Sequence, residues 1–170
     1  MSLKEIIKVA NYYQLKYNLA VTAQNEPKKV LYTGVVLDDS SMQTLREKLK
    51  EVCPEECEGW LDSNVGSHGH EQLNHHMTLA ASPASKVKNL DQSLLDSGVA
   101  LEVVGFGLDA ELGIAGWQVN TNLPVQSGNP HITALLRDES VKPFLAGKIK
   151  SWTPVSPIKV TGFLQEVTPL

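Results

Sequence analysis

The sequence predicts an α+β fold in which two loosely similar halves, antiparallel strands with flanking helices, curve around a central cleft. Three observations lead there. Strand-like and helix-like runs succeed one another along 170 residues, with no low-complexity linker to divide them. One apolar run, Leu73-Asn74-His75-His76-Met77-Thr78-Leu79-Ala80, carries His-x-Thr, and a second, Asn129-Pro130-His131-Ile132-Thr133-Ala134-Leu135-Leu136, carries it again. Each run sits in one half of the chain, so each half presents one such motif. The whole is read as one domain over 1–170, with residues 1–25 as a helical extension and 29–167 as the domain proper.

The elements follow from local pattern. Over residues 3–19, Leu3, Ile6, Ile7, Ala10, Tyr13 and Tyr17 recur at helical spacing with Lys and Gln between them, which predicts an amphipathic helix. Asn25-Glu26-Pro27 ends it. Residues 29–37 are rich in β-branched and aromatic side chains and read as a strand. An Asp or Ser among residues 38–41 can cap a helix over 42–52, whose Met42, Leu45, Leu49 and Val52 form one stripe and which Cys53-Pro54 stops. Residues 54–72 are polar and read as a long loop.

The first His-x-Thr strand then spans 73–80, and Ser82-Pro83 opens a helical or loop region to about 97. Residues 100–108 and 111–119 read as a hairpin, 120–129 as a loop, and 130–136 as the second His-x-Thr strand. A short helix or turn region over 138–149 is interrupted by Pro143, and 157–167 is the last strand. Gly105-x-Gly107 lies between strands rather than before a helix, so it is not read as a nucleotide-binding loop.

Bulk properties exclude several classes. A formal charge of −4 argues against gripping long nucleic acid through its phosphates, while leaving room for a small phosphorylated ligand in one pocket. No run approaches membrane-spanning length, and the N-terminus is charged rather than signal-like, so a cytoplasmic protein without membrane contact is expected. Two cysteines are too few for a disulfide scaffold. Cys53 and Cys57 with His68 and His70 make four potential zinc ligands, although their spacing fits no common finger.

The two motifs carry the functional argument. Side chains alternate along a strand, so His76 and Thr78 share one face and Met77 and Leu79 the other. His131 and Thr133 likewise oppose Ile132 and Ala134. A Thr two places after a given His has a chance of about one in twenty in this composition, which makes a repeated pattern informative. If the strands meet, two imidazoles and two hydroxyls line one groove. Alternation places His75 on the face opposite His76, which excludes it from the pair, and His68 and His70 read as loop residues. The bland alternative is that both motifs are half-buried strand residues with Thr at β positions.

At these residues the chain resembles the two-histidine (2H) phosphoesterase superfamily. The matching tetrads are His76-Met77-Thr78-Leu79 and His131-Ile132-Thr133-Ala134. The preceding Leu31-Tyr32-Thr33-Gly34-Val35 and the helix from Met42 extend the likeness over residues 29–167. The pattern is similar to that of small members, including RNA-end-processing cyclic phosphodiesterases and phage (anti-CBASS) proteins that degrade cyclic-oligonucleotide immune signals. The second half departs from the family in lacking a long helix before His131.

The resemblance implies a bilobal fold and a metal-independent phosphodiesterase with no cofactor. It would act on a 2′,3′-cyclic phosphate RNA end or nucleotide, or on a cyclic oligonucleotide. His76 and His131 would exchange protons as acid and base, while Thr78 and Thr133 would hold phosphate oxygens. Tyr32 and Trp117 are candidates to stack on a base. Two other classes compete: a catalytically silent nucleotide-binding or interaction module, and a domain stapled by zinc at Cys53, Cys57, His68 and His70. The sequence leaves oligomeric state open.

Overall fold

The computed structural model describes Gln14 and residues 29–62 and 73–169. Apart from Gln14, the helix expected over 3–19 lies outside these residues, as do His68 and His70. Six strands close into one antiparallel barrel. They are β1 (Tyr32–Leu37), β2 (His76–Ala80), β3 (Gly98–Asp109), β4 (Ile114–Asn120), β5 (His131–Leu136) and β6 (Trp152–Val167), in the spatial order β1-β2-β5-β4-β3-β6. This corrects the expected bilobal α+β arrangement.

β6 is the physical reason. It is 16 residues long and pairs with β3 from Gly107↔Trp152 to Gly98↔Phe163, while its end pairs with β1 from Leu37↔Gly162 to Tyr32↔Val167. A strand shared in this way leaves no gap between two lobes. Sequence reading begins this strand only at residue 157, because Pro154 and Pro157 cannot donate to a ladder. Pro154 is accommodated opposite Gly105, where the β3 register slips in a bulge after Val103.

The flanking helices shrink accordingly. The helix α1 (Asp39–Val52) is capped by Asp38, whose carboxylate accepts from Ser41 N at 2.8 Å and from the Thr161 hydroxyl of β6. Those bonds, Thr161 first, hold its carboxyl at about 2. Residues 82–97 and 138–149 form only 3-10 turns, Ala84–Lys86, Gln92–Leu94 and Pro143–Lys148. Asn89 and Asp96 take left-handed φ values of 64° and 61°, which no α-helix through 82–97 could tolerate. Among the described residues no helix is long and apolar enough to cross a membrane.

The inward faces of the strands make the core. Val35, Met77, Leu79, Val103, Trp117, Ile132 and Leu164 are buried there together with Leu45 and Leu49 of α1. A second apolar cluster joins Ile114 and Leu136 to Ala146 and Ile149, and so seats the Pro143–Lys148 turn against β4 and β5. One glycine sets the spacing of β1 and β2. A Cβ on Gly34 would lie 2.5 Å from the carbonyl oxygen of Met77, so only glycine lets β1 approach β2 this closely.

Candidate active site

β2 and β5 are direct neighbours, with Met77 opposite Ile132. In an antiparallel pair this register sets His76 beside Thr133 and Thr78 beside His131, each histidine next to the other motif's threonine. Met77 and Ile132 point into the core, so the four polar side chains share the outer face. They line one cleft of about 260 Å³, with Tyr32, Ala81, Ser127, Pro143 and Phe144 completing its walls. Diagonal neighbours across such a pair have Cα atoms about 7–8 Å apart, a span that one phosphate group can bridge through hydrogen bonds on two of its oxygens.

The two imidazoles live in different surroundings. His131 is buried, and its Nδ1 lies 2.6 Å from the carbonyl oxygen of Asn129. A carbonyl only accepts, so Nδ1 carries the proton, and Nε2 of the neutral ring holds the lone pair. Burial pushes the pKa of His131 down, and the carbonyl bond opposes that only in part. Burial and tautomer together leave a neutral ring with the Nε2 lone pair free of the Asn129 bond.

His76 is half-buried and clasped by two rings. Tyr32 stacks on it with centroids 4.6 Å apart and planes 22° off parallel, and His75 meets it edge to face with Nδ1 3.2 Å from Nδ1. The Tyr32 ring is thus buried against His76 instead of presenting a free face for a base. Its hydroxyl is buried without a hydrogen-bond partner among the described residues, and burial raises its pKa. Burial, and then the positive charge of Arg46 on α1, hold the pKa of His75 below the usual histidine value.

The hydroxyls also differ. Thr133 Oγ1 donates to the carbonyl of Pro143 at 3.1 Å, which leaves its lone pairs for a partner in the cleft. Ser127 Oγ donates to the backbone carbonyl of Thr78 at 2.8 Å, fixing the loop over β2. Gly147 permits the 3-10 turn to sit against His131, since a Cβ there would lie 2.7 Å from the Ser127 carbonyl oxygen and 3.3 Å from the His131 ring. Phe144 stands at the rim with 69% of its surface exposed, the open aromatic face of the site.

Trp117 is not in the cleft, which corrects its expected stacking role. It is fully buried, packs edge to face on Phe106 at 5.1 Å, and donates from Nε1 to Asn74 Oδ1 at 2.9 Å. On β4 its parity points inward, next to Ile132. Asn74 is fully buried as well. Its Nδ2 donates to the carbonyls of Asp62 and Ala134, and its backbone N–H to Thr133. It ties the start of β2 to β4 and β5.

Cys53 and Cys57 are free thiols, and the Cys57 thiol is pushed up to about 12, first by burial and then by Cys53 beside it. No group of three or more potential metal ligands converges among the described residues.

Sequence reasoning missed Phe144 and Ser127 among the cleft residues, and it did not foresee the contact of His75 with His76, although His75 does not line the cleft. Phe144 and Ser127 come from segments whose folding over β5 and β2 has no local signature. His75 was excluded by strand alternation, yet β2 begins only at His76, and Asn74 before it has a φ of 56°. Alternation does not apply across such a turn. No family model and no curated protein sequence matches the chain.

Proposed function

We propose that the protein is a phosphodiesterase that opens a cyclic phosphodiester by acid–base chemistry of the two-histidine phosphoesterase kind, here carried on a closed barrel. One observation carries the reading: His76, Thr78, His131 and Thr133, from motifs far apart in sequence, line a single cleft on adjacent strands. An imidazole without its proton can take one from an attacking oxygen, and an imidazolium can give one to the departing oxygen. The attacking O–P bond forms as the opposite P–O bond breaks, and the two protons move to and from the rings on either side. The Thr78 hydroxyl is suited to donate to a non-bridging oxygen, where charge gathers in the transition state, and the Thr133 hydroxyl does so by turning its proton from the Pro143 carbonyl to the phosphate. These groups supply the whole proton inventory of the reaction, so the proposed chemistry needs no metal.

The size and lining of the cleft bear on the substrate. Its volume of about 260 Å³ falls just below the ~300–1,000 Å³ typical of sites that enclose a drug-sized ligand. It suits one phosphate with its sugar, the base lying outward against Phe144. Among the described residues no carboxylate lines it, so an anion meets no like charge from them. A 2′,3′-cyclic phosphate on a nucleotide or RNA end is the best fit, and a cyclic oligonucleotide would enter one linkage at a time.

The test is a panel of 2′,3′-cyclic nucleotides, linear 2′-5′ oligoadenylate and 3′,5′-linked cyclic di- and trinucleotides, with products resolved by mass and a parallel arm in EDTA. Turnover that survives EDTA and disappears in His76→Ala and His131→Ala is the expected result. Binding without turnover across the panel sinks the enzyme reading in favour of a silent nucleotide-binding module.

A further inference from the structure

His75 belongs to the site that strand alternation denied it. The chain enters β2 through the left-handed turn at Asn74, and this swings the His75 ring beside His76, Nδ1 to Nδ1 at 3.2 Å. A nitrogen–nitrogen contact of that length needs one N–H and one lone pair. Two Nδ1–H groups cannot face each other, so the pair holds at most one imidazolium. If His76 carries the charge, both its nitrogens are protonated, and His75 must be neutral with its own proton on Nε2. If His75 carries it, His76 must be the acceptor and has no second proton to give.

We propose that His75 is a positioning residue for the active site, its Nδ1 accepting the Nδ1–H of His76, so that His76 presents Nε2–H as the acid and His131 is left as the base. The direction of the bond follows from what surrounds the pair. Burial and the Arg46 guanidinium disfavour positive charge on His75, and Tyr32 lays its ring face over His76, where a cation gains from the π-system. Among the described residues, the titratable and charged groups facing the pair are Tyr32 from β1, Arg46 from α1 and His131 from β5 across the cleft. His131 has its Nδ1–H committed to Asn129, which directs the lone pair of Nε2 to an attacking oxygen.

The assignment rests on the phosphodiesterase reading only for its catalytic half. In a turnover, water gives one proton to His131 Nε2 as its oxygen bonds to phosphorus. His76 Nε2–H goes to the oxygen that leaves, and His75 makes and breaks no covalent bond. Solvent then returns the rings to their starting states.

The test compares the full chain with His75→Asn and His75→Leu, using ¹⁵N-edited NMR titration of the histidine rings alongside kcat/KM against pH. Asn places an amide oxygen where Nδ1 stands and keeps the acceptor, whereas Leu fills the space without one. The expected result is that His76 binds its proton at least about threefold more weakly in His75→Leu than in the wild type or His75→Asn, a shift of roughly half a pH unit. The alkaline limb of the rate profile moves to lower pH in His75→Leu and returns in His75→Asn. His76 titrating alike in the Leu and Asn variants, or His75 charging before His76, overturns the proposal. If the titration behaves as expected but no cyclic phosphodiester is turned over, the enzyme reading fails and the pairing stands. Turnover with an unaltered His76 titration in His75→Leu fails the pairing and leaves the reading intact.

Discussion

The two His-x-Thr motifs are near copies in sequence and opposites in surroundings. The histidine of β5 is buried, with Nδ1 bound to a backbone carbonyl, and its threonine hydroxyl is committed to Pro143. The histidine of β2 is half-buried, stacked under Tyr32 and paired with a second imidazole. Alternation along a strand gives both motifs the same facing; the loops and neighbouring strands give each ring its own surroundings. For the proposed reaction this asymmetry is what acid–base chemistry across one phosphorus would use.

The largest expected effect removes either ring. His131→Ala and His76→Ala should each lower kcat/KM on a cyclic phosphate by about 10² to 10⁴-fold, with circular dichroism unchanged. Their residual pH profiles should differ, His131→Ala losing the acid limb and His76→Ala the alkaline one. Equal profiles from both variants would erase the distinction between the motifs.

Next is the frame the motifs share. Asn74→Ala strips three side-chain hydrogen bonds, leaving the buried Trp117 N–H and the Ala134 carbonyl without this partner, and puts a Cβ residue without a polar side chain at positive φ. A loss of about 2–4 kcal/mol in urea unfolding is expected. A loss under 1 kcal/mol would mean that β2 and β5 keep their register without this anchor.

Stability against pH tests burial directly. His131 and His75 both have folded pKa values lowered from 6.5, so between that value and their folded ones the unfolded chain binds more protons. Their contribution is complete above about pH 6.5 and drains away as pH falls through the lowered values. Denaturant midpoints should therefore drop between pH 7.5 and 5, and His131→Asn should flatten that slope. A flat wild-type profile would place His131 nearer water than the fold shows.

The smallest contrast lies in the hydroxyls. Thr133→Val leaves the Pro143 carbonyl without its donor and should cost about 1 kcal/mol in addition to activity. Thr78→Val should spare stability and reduce turnover alone. Identical stabilities for the two variants would remove the difference drawn between the threonines.

Much of the local structure was legible. The apolar runs around residues 32–37, 76–80 and 131–136 announce strands, and Asp38 followed by an apolar stripe announces α1. The facing of His76 with Thr78, and of His131 with Thr133, follows from the two-residue repeat alone. Closure was not legible, because the pairing of β6 with both β1 and β3 depends on contacts between distant segments that leave no periodic trace. Pro154 further disguised the start of that strand, since its bulge partner lies some 50 residues away on β3. Trp117 was misplaced because a lone aromatic does not declare which strand face turns inward. The His75 contact depends on a single backbone angle, at Asn74.

A closed ring of strands gives the cleft a fixed gauge. The two histidine rings ride on neighbouring strands of one closed barrel, paired at Met77 and Ile132. Under the proposed function, admission falls to the lip, where Phe144 and Ser127 complete the walls of the cleft. Exchanging that lip would then retune which molecules are let in and leave the four motif side chains in place.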